Sequence, residues 1–61
     1  MDLEKLIQEM MNYCNQKRLT QTDFARIMNV SVSTVSLWFS GKRGPCRNNY
    51  ITFLKILKEE N

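Results

Sequence analysis

The sequence predicts an all-α fold, a compact bundle of four to five helices, on three observations. Apolar residues recur at three- and four-residue spacing rather than in alternation. Residues that cap helices (Asp2, Thr20, Ser31) stand just before those stretches. Asn29, Gly41 and the Gly44-Pro45 pair punctuate the gaps between them. With 61 residues and neither repeats nor a linker, the chain reads as a single domain, 1–61. That is near the lower size at which a hydrophobic core suffices without disulfides or metal.

The first helix opens on Asp2 as N-cap, with Glu4 in its first turn, and runs to about Gln16. Leu3, Leu6, Ile7, Met10 and Cys14 form its apolar stripe, which Met11 and Tyr13 widen. Lys17 and Arg18 suit the negative end of its dipole. Thr20-Gln21-Thr22-Asp23 has the form of a capping box, in which hydroxyl and carboxylate satisfy amides that the first turn leaves unpaired. The short second helix it starts would face the core with Phe24, Ile27 and Met28, keep small Ala25 beside them, and stop at Asn29, which tolerates a left-handed backbone.

Ser31 caps a third helix from Val32 to Ser40, with Gly41 just beyond its end. Val32, Ser33, Thr34, Val35 and Ser36 are mediocre helix formers, so this helix depends on packing through Val35 and Trp38. After the basic turn Lys42-Arg43-Gly44-Pro45, a last helix starts at about Arg47 and carries Tyr50, Ile51, Phe53, Leu54, Ile56 and Leu57, more than one face can bury. Tyr50, Leu54 and Leu57, extended by Ile51, form the expected core stripe; Phe53 and Ile56 point partly elsewhere and, if exposed, imply self-association. Glu59, Glu60 and Asn61 are expected to fray.

Composition narrows the function. The net charge of +3 is unevenly placed, with six basic residues from Lys17 to Arg47 against the single acid Asp23, while the ends are mildly acidic. A basic centre suits a polyanion. The chain has no histidine, no paired carboxylates and no glycine-rich phosphate loop, so it is not expected to be an enzyme, to use a cofactor or to take a small-molecule substrate. Cys14 and Cys46 lack any partner for a zinc site and read as reduced thiols, Cys14 in the core. No segment has the length or apolar character of a membrane span or signal peptide, and a cytoplasmic location is expected.

The stretch from Leu19-Thr20-Gln21 to Gly41-Lys42-Arg43 resembles the phage-repressor, Cro-like (XRE-type) helix-turn-helix family, of lambda-repressor-like fold. Thr20-Gln21, Ala25, the turn Asn29-Val30-Ser31, the run Ser33-Thr34-Val35-Ser36, Trp38 and Gly41-Lys42-Arg43 carry the resemblance. The chain departs from it at Asn29, where glycine is usual, and at Phe39, where an acid is usual. Phe39 is expected, in this order, to pack against the last helix, to sit at a partner interface or to touch the sugar-phosphate backbone.

The resemblance implies sequence-specific binding of double-stranded DNA by a transcriptional regulator, a repressor, with the helix at about 31–40 in the major groove. It places Val32, Ser33, Ser36 and Leu37 at base edges and Gln21, Thr34, Lys42, Arg43 and Arg47 on phosphates. It further implies a palindromic operator and a weak or DNA-assisted homodimer. The alternative is a protein-interaction module that keeps the fold and uses Val32, Leu37, Phe39 and the last helix as an apolar contact surface.

Overall fold

The computed structural model describes residues 3–60 and arranges them as four helices, α1 (Leu3–Lys17), α2 (Gln21–Met28), α3 (Val32–Phe39) and α4 (Arg47–Glu60). The Asp2 cap expected for α1, and Asn61 at the other end, lie outside the described residues. α4 runs through Glu59 to Glu60.

Each of the first three helices stops in the same way. Arg18, Asn29 and Gly41 follow them in the left-handed region, at φ of 56°, 59° and 80°. The next amide then reaches back to a carbonyl in the last turn: Leu19 to Cys14 at 2.8 Å, Val30 to Ala25 at 2.9 Å, and Lys42 to Leu37 at 3.1 Å. These bonds satisfy carbonyls that the helix end leaves open and turn the chain sharply. Glycine meets the requirement without strain at Gly41, and Asn29 does so at small cost. At Arg18 a full side chain is held where its Cβ crowds the backbone.

The core draws on all four helices. α1 contributes Leu6, Met10, Tyr13 and Cys14, α2 Phe24, Ala25 and Met28, α3 Val35 and Trp38, and α4 Phe53. At its centre Tyr13, Phe24 and Phe53 meet one another with centroids 5.9 to 6.1 Å apart, Phe53 lying edge-on to both partners. Phe39 of α3 stacks on Phe24 at 5.9 Å. One ring from each helix therefore joins a single cluster, each contact adding about 0.5–1.5 kcal/mol beyond the area it buries. The Cα radius of gyration, 10.5 Å, is that of a tightly packed chain of this length.

The structure corrects two expectations about faces. On α4 the fully buried residue is Phe53, with Tyr50, Ile56 and Leu57 packed beside it, whereas Ile51 and Leu54 are exposed. The face is chosen by Tyr13 and Phe24, which accept a ring edge where an aliphatic chain would leave a gap. Ile27 and Met11 turn to solvent because Phe24, Ala25 and Met28 on α2, and Met10, Tyr13 and Cys14 on α1, already fill the inner surface. Phe39 stacks on Phe24 of α2.

Phe24→Ala should cost about 3–5 kcal/mol, against a total stability of roughly 3–9 kcal/mol for a chain of this size. Circular dichroism should show it largely unfolded by 37 °C, while Ile27→Ala melts within a few degrees of the unaltered protein. Arg18→Gly should remove left-handed strain of about 1 kcal/mol and raise the melting temperature by about 4–8 °C. An unchanged or lower midpoint would contradict that strain.

Candidate nucleic-acid interface

The start of α2 is fixed by reciprocal hydrogen bonds. Thr20 Oγ1 accepts from the Asp23 amide at 3.1 Å, and Asp23 Oδ2 accepts from the Thr20 amide at 3.1 Å. Asp23 in place of the more usual glutamate completes the box. The Thr20 amide, then the Thr20 side chain and the charge of Arg26 hold the Asp23 carboxyl below the usual carboxylate range. Gln21 sits exposed on this anchored first turn.

The link from α2 to α3 is Asn29-Val30-Ser31. Ser31 Oγ accepts from the Thr34 amide at 3.2 Å and lies 2.8 Å from Thr34 Oγ1, so the cap engages both backbone and side chain of the first turn. α2 and α3 form the most extensive helix pair of the fold. With Val35 and Trp38 buried inward, the helical period leaves Val32, Ser33, Ser36 and Leu37 on one outward face. Val32 keeps 45% and Leu37 36% of its surface exposed. This face carries no charge.

The carbonyl of Leu37 ties this face to the basic turn. It accepts from the Lys42 and Arg43 amides at 3.1 and 3.3 Å and from Ser40 Oγ at 3.1 Å. Lys42 and Arg43 are exposed, as is Arg47 at the first position of α4. No acidic residue occurs between Asp23 and Glu59, so no anionic side chain from α3, the turn or α4 before Glu59 offsets these cations.

Thr34 is half-buried and borders a small groove together with Trp38, Arg43, Gly44, Cys46 and Asn49. The structure thus groups Thr34 and Arg43 beside the outward face of α3, with Arg47 next to Cys46 in the chain, while Gln21 belongs to the separate first turn of α2. Asn49 was not singled out from the sequence. No local signal marks it, since its place beside Thr34 depends on how α4 packs.

Among the described residues no cluster of three His, Cys, Asp or Glu side chains could hold a metal ion. Cys14 is a buried free thiol whose burial pushes its pKa up, and Cys46 is a free, exposed one. No helix of the described residues is long and apolar enough to cross a membrane.

Compared with models of known families, residues 10–46 match the one described as helix-turn-helix, more than half of the chain and the whole of α2 and α3. No curated protein and no solved structure matches the chain.

The capping box gives a pH prediction. Because folding lowers the Asp23 pKa, its contribution is complete above the ordinary value of 3.8 and is lost as pH falls through the folded value below that. The stability difference between the unaltered protein and Asp23→Asn should be constant above about pH 5 and shrink below pH 4, read from denaturant melts. A difference that grows on acidification would contradict the box.

Proposed function

The chain belongs to the Cro-like (XRE-type) helix-turn-helix family of DNA-binding domains, and on that premise we propose that it is a sequence-specific repressor whose α3 enters the major groove. One observation carries the reading. The uncharged outward face of α3 (Val32, Ser33, Ser36, Leu37) is tied through the Leu37 carbonyl to the exposed cations Lys42 and Arg43 and is followed in the chain by exposed Arg47, on a stretch free of acids. Bases are read by uncharged side chains and phosphates are held by charged ones, the division of labour that a major-groove helix needs.

In this reading Ser33 and Ser36 exchange hydrogen bonds with base edges, and Val32 and Leu37 pack on thymine methyls. Hydroxyls accept or donate to any base, so direct readout is soft, and DNA shape supplies part of the selectivity. Gln21, Thr34, Lys42, Arg43 and Arg47 bind phosphates on either side of α3. Repression needs nothing beyond occupancy of the operator. Exposed Ile51 and Leu54 on α4 supply a modest apolar contact for a homodimer that forms on the DNA, which calls for a palindromic site with half-sites about 34 Å apart. The protein acts in the cytosol, where the DNA of a phage or bacterial host is found.

The exposed apolar Val32 and Leu37 also suit a contact with another protein, the competing reading. A titration against duplex DNA at several salt concentrations, followed by selection of preferred sites, separates the two. Salt-dependent binding and a palindromic selected site are expected. Ser33→Ala should change base preference at one position per half-site. Arg43→Ala should weaken all sequences alike and reduce the slope of log K against log salt by about 0.9. Absence of binding at low salt and high protein concentration would reject the DNA reading in favour of the protein contact.

A further inference from the structure

The loop between α3 and α4 is anchored at both ends by backbone hydrogen bonds. Its start hangs from the Leu37 carbonyl through Lys42 and Arg43, and at its end the Cys46 carbonyl accepts from the Tyr50 amide at 2.9 Å. Between these anchors Gly44 is half-buried. What lies against it is the Leu3 side chain of α1, since a Cβ added at Gly44 would stand only 2.6 and 2.8 Å from the two Leu3 δ-carbons. Leu3 occupies the space that any larger residue at position 44 would need.

Leu3 stands outside the buried core and keeps 47% of its surface exposed. Beside it a groove separates α1 from the end of α3 and the loop, bordered by Leu3, Glu4 and Ile7 of α1, by Trp38 and Phe39 of α3, and by Arg43. Leu3 bridges from the α1 side of that groove to Gly44. Arg43 is the neighbour of Gly44 in the chain, and it borders both this groove and the one lined by Thr34 and Asn49. The backbone that carries Arg43 is therefore braced from α1 by the Leu3 side chain packed on its neighbour.

We propose that Leu3 is a positioning residue for DNA binding: by packing on Gly44 it buttresses the loop and holds Arg43 ready for a phosphate. A braced loop spares the ordering entropy that a mobile one would lose on binding. The inference rests on the reading of Arg43 as a phosphate contact.

The test is a titration of the selected duplex over a salt series, with thermal melts confirming that each variant is folded. Leu3→Ala should weaken binding about three- to tenfold. Although leucine carries no charge, Leu3→Ala should also flatten the salt slope towards that of Arg43→Ala, whose loss is about 0.9. Leu3→Met, which keeps bulk and reach, should preserve both affinity and slope. Gly44→Ala, which displaces the Leu3 δ-carbons, should follow Leu3→Ala, and Leu3→Ala should add nothing in an Arg43→Ala background.

Weaker binding of Leu3→Ala with an unchanged slope, or an equal loss in the Arg43→Ala background, would overturn the positioning role. If Arg43→Ala itself leaves affinity and slope unchanged, the phosphate role of Arg43 fails, and the role of Leu3 falls with it.

Discussion

The fold hangs on the aromatic contact between α1, α2 and α4 that centres on Phe24. Its ring touches Tyr13, Phe53 and Phe39, one from each of the other helices. Such a short chain has little apolar surface to bury, and concentrating four rings at one point makes each helix depend on the others. α3 benefits most from this arrangement. Its residues hold a helix poorly by themselves, and Val35, Trp38 and Phe39 secure it from one side. The opposite side is left free of any structural duty.

That division leaves packing and the outward surface to different residues of the same eight-residue helix. The Leu37 carbonyl then joins the outward face to the basic turn through three hydrogen bonds. A rotation of α3 would carry Lys42 and Arg43 with it, so the outward face of α3 and these two cations keep a fixed register. The left-handed residue Gly41 makes this connection possible by turning the chain back within one residue of the C-cap, Ser40.

Much of this was legible in the residues because it is local. Thr20 and Ser31 announce helix starts through their hydroxyls, Asn29 and Gly41 announce ends through their tolerance of positive φ, and the burial of Val35 and Trp38 assigns the outward face of α3 by period alone. What the sequence left open is non-local. α4 has apolar residues around too much of its circumference for periodicity to choose between Phe53 and Leu54; the rings of Tyr13 and Phe24 make that choice. Arg18 looks like an ordinary cation at a helix end, and nothing in its type foretells a left-handed backbone. Asn49 beside Thr34, and Leu3 against Gly44, join residues far apart in the chain and become visible only once the helices are packed.

The central claim is that α3 and its basic border form the DNA-facing surface. The most direct measurement is an amide chemical-shift map of the labelled protein during titration with a duplex that it binds. Large changes are expected at Gln21, along Val32 to Leu37 and from Lys42 to Arg47, with the interior of α1 nearly silent. Changes confined to α1 and the exposed side of α4, with the outward face of α3 unperturbed, would contradict it.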